Sequence, residues 1–202
     1  MLAIVDYGVG NLFSLASSLK SLGVAHTIAT RPEQLTAADR IILPGVGAFA
    51  DAARKLAESG MREVLLGEAK RGKPLLGICL GMQMLFDRSL EYGIHEGLGL
   101  IPGEVCPLIE DIPSALKVPH IGWNRLEILR DDPLFADFRS GEHVYYVHSY
   151  YAKKCAANTL AVSDYGVPVT GVVRSGNVYG AQFHPEKSGA AGLKLLRAFS
   201  EI

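Results

Sequence analysis

Between residues 2 and 79 the chain repeatedly sets a short apolar run beside a longer stretch with helical spacing. "LAIVD", "RIILPG" and "KPLLGIC" are apolar at consecutive positions. Neither side of such a strand can face water, whereas a strand with one wet face would alternate. "AHTIAT" adds a further strand-like piece. Between these lie a helical pattern at Leu12 to Leu22 stopped by Gly23, a proline-started turn at "RPEQL", and an amphipathic stretch, Phe49 to Ser59, ending at Gly60. A second helical stretch runs from Met61 to Lys70. Strands buried on both faces and separated by helices predict a parallel sheet with helices on either side.

From about residue 98 the texture changes. "HIGWNRLEIL", "EHVYYVHSYYA", "TLAVSDYG", "VPVTGVVRSG" and "NVYGAQF" are rich in Val, Tyr and Thr and are divided by Gly, Pro, Asp and Asn. A helix over Gly189 to Phe199 closes the chain. The expected fold is an α/β domain spanning 1–202, with a parallel or mixed core flanked by helices and mainly antiparallel strands in the second half.

Composition narrows the function classes. A net charge of −1 gives no footprint for nucleic acid or anionic membrane. No apolar stretch is long enough to span a bilayer, and "MLAIVDYG" lacks the basic region of a signal peptide. Three cysteines with no CxxC argue against a disulfide framework or structural zinc, and a cytoplasmic location is expected.

One of those cysteines is placed unusually. Gly77-Ile-Cys79-Leu-Gly81 is G-x-C-x-G, the thiol form of a nucleophile elbow, in which a strand turns sharply into a helix. The flanking glycines leave room where chains pack closely. The following helix would present N–H groups that favour a thiolate, and the N–H of Leu80 would face a developing oxyanion. The same five residues also fit a packed cysteine in an ordinary turn.

A hundred residues downstream, "QFHPEKS" follows an apolar strand that Pro185 must end. Extended geometry would put His184 and Glu186 on one side of the chain. A carboxylate beside an imidazole holds its tautomer and stabilises the imidazolium, as a base serving a nucleophile requires. None of His26, His95, His120, His143 and His148 has a carboxylate two residues later on an extended segment, and no metal-binding spacing appears among them. "LPGVGAF" is a strand end entering a glycine-rich turn, where Val46 and Gly47 offer N–H groups. "DYGVGN" lacks the third glycine of a dinucleotide fingerprint, since Phe13 stands there.

Taken together and in order, "DYGVGNL", "LPGVGAF", "GICLGMQMLF", "GLGLIPGEV", "KVPHIGWN", "YYVHSYYA" and "NVYGAQFHPEKSG" resemble the class I, or triad, glutamine amidotransferases. The resemblance covers nearly the whole chain and implies a flavodoxin-like core. It implies Cys79 as nucleophile, His184 as general acid and base, and Glu186 as its orienting carboxylate. Val46 or Gly47 and Leu80 would form the oxyanion hole. Gly45, Gln83 and the backbone of His148, Ser149 and Tyr150 would hold L-glutamine. No metal or organic cofactor is implied.

Within that family the motifs resemble glutaminase subunits that pass ammonia to a separate (β/α)8-barrel cyclase chain in a heterodimer. A chain of 202 residues cannot also hold such a barrel. The resemblance puts Asn11, Trp123, Tyr145 and Lys187 near that interface. The plainer readings of the same four residues are a helix cap, core packing, a strand aromatic and a solvated charge. Cys106 stands where an apolar residue is expected.

Overall fold

The computed structural model describes residues 1–202. In the first half the elements run β1 (Leu2–Val5), α1 (Leu12–Ser21), β2 (His26–Ala29), α2 (Pro32–Ala37) and β3 (Arg40–Gly45). They continue through α3 (Phe49–Glu58), α4 (Met61–Lys70), β4 (Leu75–Cys79) and the single turn α5 (Leu80–Gln83). Then come β5 (Phe86–Ser89), β6 (His95–Glu96), β7 (Ile101–Pro107), β8 (His120–Arg125), β9 (Glu127–Ile128), β10 (His143–His148) and β11 (Tyr150–Lys153). The chain ends with β12 (Thr159–Asp164), β13 (Pro168–Ser175), β14 (Val178–Ala181) and α6 (Gly189–Glu201).

The main sheet has eight strands in the order β2-β1-β3-β4-β14-β13-β12-β9. The first five are parallel to one another, and the remaining three pairings are antiparallel. Strand β1 shows why. Its four residues are all buried, with Ala3 and Val5 in the core beneath α2, α3 and α4. Leu2 and Ile4 pack into the opposite core with Leu15 and Leu19 of α1 and Leu195 and Phe199 of α6. A strand wedged between two apolar cores must be apolar throughout, and helices must cover both faces. Each core draws strand residues two apart.

The second half departs from its sequence pattern in three places. "HIGWNRLEIL" is not one strand: it breaks at the buried Leu126, so β8 pairs with β10 while β9 joins the main sheet. "EHVYYVHSYYA" breaks at Ser149, and β10 and β11 belong to different sheets. Residues 86–107 carry three strands that the texture did not reveal, forming with β11 a four-stranded sheet in the order β11-β7-β5-β6. In each case a β-favouring run looks continuous locally, and partners distant in the chain decide where it bends.

Candidate active site

Strands β3, β4 and β14 end at the same edge of the main sheet, where loops in parallel sheets build sites. Cys79 is the last residue of β4 and takes φ 54°, ψ −112°. That conformation costs a side-chain-bearing residue about 1–3 kcal/mol, so the surroundings must impose it. Three glycines do so. A Cβ on Gly77 would lie 2.6 Å from the Gly81 carbonyl oxygen, and one on Gly45 would lie 2.7 Å from the Gly81 N. A Cβ on Gly81 would overlap the Leu43 carbonyl oxygen. The turn closes only because no side chain occupies these positions. The helix expected after Cys79 is a single turn, which shortens the aligned dipole but keeps the N–H of Leu80 beside the sulfur-bearing residue.

His184 and Glu186 meet, but not along an extended chain. Pro185 to Lys187 form a 3-10 turn, and His184 Nδ1 lies 2.8 Å from Glu186 Oε1. Proline, with φ already set for a helical turn, starts the bend that carries the carboxylate back to the ring. Backbone and hydroxyl bonds hold the bend in place. His184 N donates to the Tyr145 carbonyl at 2.9 Å, Tyr145 N to Ser188 Oγ at 2.9 Å, and Ser188 Oγ to the His184 carbonyl at 2.6 Å. Gly192 of α6 presses against the turn so closely that a Cβ there would overlap the Pro185 carbonyl.

His184 Nε2 and Glu186 Oε2 are buried without a hydrogen-bond partner. Burial disfavours the imidazolium, yet proximity to Cys79 and the Glu186 carboxylate outweighs it and raises the pKa of His184 to about 9. The ring therefore holds its proton at neutral pH.

A cavity of about 730 Å³ opens at this edge. Cys79, at 7% exposure, is buried but forms part of its wall, as does His184. Val46, Gly47, Leu80, Gln83, His148, Ser149 and Tyr150 also line it. Gly45 and Glu186 lie behind this wall, beside a narrow crevice shared with Asn11. Val46 is 40% exposed and Gly47 takes φ +93°, a conformation open to glycine. Below them the buried Tyr7 hydroxyl donates to the Pro44 carbonyl at 2.8 Å, fixing the base of the loop. Gln83 is a structural part of the wall: its Nε2 donates to the Tyr150 carbonyl at 2.9 Å and to Gln182 Oε1 at 3.0 Å.

Glu91 and Tyr92 line the cavity without any signal in the sequence. Glu91 is the cavity's one carboxylate, and its Oε2 accepts from Phe49 N at 2.6 Å. Tyr92 stands beside it at φ 53° and packs edge-on against Tyr150. Both sit in the β5–β6 connection, which was not recognisable as structure.

Trp123 is no core residue. It is 56% exposed on β8 and meets Tyr145 edge-on at 6.0 Å, with Lys187 Nζ 6.0 Å from the Tyr145 ring centre. Lys187 also reaches the cavity lining. Asn11 occupies the N-cap position of α1 without a side-chain capping bond. No cluster of three or more His, Cys, Asp or Glu side chains could hold a metal ion, and no helix is long and apolar enough to cross a membrane.

An elbow cysteine, a paired histidine and carboxylate, and a glycine loop on one parallel edge suit acyl transfer from an amide. The chain belongs to the class-I glutamine amidotransferase family, whose sequence model matches residues 3–201. A crystal structure of a glutamine amidotransferase shares the fold, with a TM-score of 0.77 at 21% identity over 98% of this chain and 97% of that one. The particular likeness is to the imidazole glycerol phosphate synthase subunit HisH. The chain is 47% identical to that of Bacillus licheniformis over 205 residues, and 50% identical to that of Lacticaseibacillus casei over 202. Each match covers 100% of this chain and 96% of the relative.

Proposed function

We propose that this chain is the glutaminase subunit of imidazole glycerol phosphate synthase, hydrolysing L-glutamine to glutamate and ammonia through a thioester on Cys79. One observation carries the reading: a cysteine forced into φ 54° lines the same cavity as a histidine paired at 2.8 Å with a carboxylate.

Cys79 attacks the side-chain carbonyl carbon of glutamine as a thiolate. The N–H groups of Leu80 and of Val46 or Gly47 receive the oxyanion, and one such donor is worth about 3 kcal/mol. His184, protonated at neutral pH, gives its proton to the departing nitrogen, and ammonia leaves. The neutral ring then takes a proton from water, whose oxygen attacks the thioester carbon. Collapse of that intermediate expels the Cys79 thiolate and leaves glutamate. Glu186 keeps the Nδ1 proton in place throughout. The backbone from His148 to Tyr150 holds the amino-acid end of glutamine, and Glu91 faces its ammonium group.

Ammonia released into neutral water becomes ammonium and loses its nucleophilicity, so it must pass directly to its consumer. The relatives are named as subunits of a synthase. The consumer we infer is a (β/α)8-barrel cyclase that forms imidazole glycerol phosphate and an aminoimidazole carboxamide ribotide in histidine biosynthesis. It would dock over Asn11, Trp123, Tyr145 and Lys187 in the cytoplasm. The test is glutamate release from the native chain and from Cys79→Ala, with and without the cyclase and its ligand. Release that needs Cys79 and rises with the loaded cyclase supports the proposal. Release that is independent of Cys79 overturns it.

A further inference from the structure

The ribbon of β8 and β10 carries two buried histidines, His120 and His148, whose side chains the proposed chemistry does not use. Its register pairs His120 with His148, and both are buried, at 3% and 6% exposure. Ile121 and Trp123 alternate with them and are exposed.

Only one arrangement of protons satisfies this pair. His148 Nδ1 lies 2.9 Å from the Tyr150 carbonyl, which can only accept, so Nδ1 carries the proton. The Nε2 of a neutral His148 is then a lone pair, and His120 Nδ1, 3.0 Å away, must donate to it. His120 Nε2 is left as an acceptor facing Asn124 Nδ2 at 3.4 Å. The Asn124 amide is itself oriented, because Nδ2 donates to the Asp164 carbonyl at 2.8 Å and Oδ1 accepts from Arg125 N at 2.8 Å. Tyr146 and Tyr165 both stack on the His120 ring, with centroids 4.6 and 4.0 Å away. Burial holds both histidines neutral, lowering the pKa of His120 to about 4 and that of His148 to about 3.

The far end of this chain of bonds reaches the site. The Tyr150 carbonyl held by His148 also accepts from Gln83, Gln83 donates to Gln182 Oε1, and Gln182 Nε2 lies 3.9 Å from Cys79 Sγ. His148, Ser149 and Tyr150 themselves form cavity wall.

We propose that His120 is a positioning residue for glutamine binding: its Nδ1–H fixes the tautomer of His148, which anchors the Tyr150 carbonyl and sets the Ser149–Tyr150 backbone. The inference rests on the glutaminase reading. Without the His120 donor, His148 Nε2 is a buried, unpaired acceptor, and the ring can exchange tautomers and release the carbonyl.

Two substitutions separate positioning from packing. His120→Phe keeps a flat ring between the tyrosines but loses the donor. His120→Asn loses the ring but places an amide N–H where Nδ1 stood. In the complex with the cyclase, His120→Phe is expected to raise the KM for glutamine about tenfold while kcat stays within about threefold. His120→Asn should keep a KM near native even though it melts earlier. Nitrogen NMR of the isotope-labelled native chain needs no variant, and should show His148 protonated on Nδ1 and neutral near pH 6. An unmoved KM in His120→Phe, losses that track melting temperature in both variants, or an Nε2–H tautomer at His148 would overturn the inference. An inactive native complex sinks the glutaminase reading as well, whereas an active one with an unmoved KM sinks this inference alone.

Discussion

The parallel edge at β3 and β4 and the antiparallel ribbon of β8 and β10 meet at one cavity but fix their residues by different means. At the edge, backbone approaches backbone so closely that Gly45, Gly77 and Gly81 admit no Cβ, and Cys79 is held in its strained conformation by exclusion. In the ribbon the control is polar. Tyr145 exchanges bonds with His184 and Ser188, and His120 orients His148. Steric control is stiff and fails globally, because the overlap falls on the main sheet. Hydrogen-bond control can be lost one donor at a time. The nucleophile is therefore expected to be rigid, and the substrate-binding backbone adjustable.

The largest effects test the chemistry that both regions serve. Cys79→Ala should abolish glutamate release, a loss of about 10³-fold or more in kcat. Glu186→Gln keeps the shape of the turn but removes the charge beside His184, and should cost about 10²–10⁴-fold. Both are read in steady-state assays of the complex, and a variant retaining near-native kcat would remove that residue from the mechanism.

Next come the steric constraints. Gly81→Ala, forced against Leu43, should cost about 3 kcal/mol or more in denaturant unfolding or prevent folding. The same change at Gly67 in α4 meets nothing within 4 Å and should stabilise by about 0.5–1 kcal/mol. Equal effects at the two glycines would break the contrast between the crowded edge and an open position on a covering helix.

A pH effect of intermediate size should come from His184. Its folded pKa, about 9, lies above the ordinary 6.5. Its contribution is therefore fully present below about pH 6.5 and lost as pH rises through 9, on the order of 2–3 kcal/mol. Unfolding midpoints measured across that window should fall for the native chain and flatten for His184→Gln. The smallest effect on the isolated chain is expected from Trp123→Ala. Its half-exposed ring should change stability by less than about 1 kcal/mol yet weaken cyclase binding measurably. Unchanged affinity would move the docking surface elsewhere.

The same contrast explains what could be read from the residues alone. The elbow was legible because its steric demands are local: glycines two before and two after Cys79 are the sequence image of a crowded turn. The parallel strands were legible because burial on both faces leaves an uninterrupted apolar run, as in β1. The ribbon was not, since nothing near Leu126 or Ser149 marks where the chain changes sheets. Pro185 marks the end of a strand in the sequence, but nothing there announces the turn it starts, which brings Glu186 to His184. His120 carries no chemical signature of its own in the sequence, and its partner lies 28 positions away. Glu91 sits in a connection without periodicity, so its place in the cavity follows only from the fold.

The most direct measurement is peptide mass analysis of the chain in complex with the cyclase, quenched rapidly after glutamine is added. A γ-glutamyl group is expected on the peptide containing Cys79, appearing before glutamate accumulates and absent from Cys79→Ala. Glutamate formed at an undiminished rate without that adduct, or the acyl group carried by Cys106 or Cys155 instead, would contradict it.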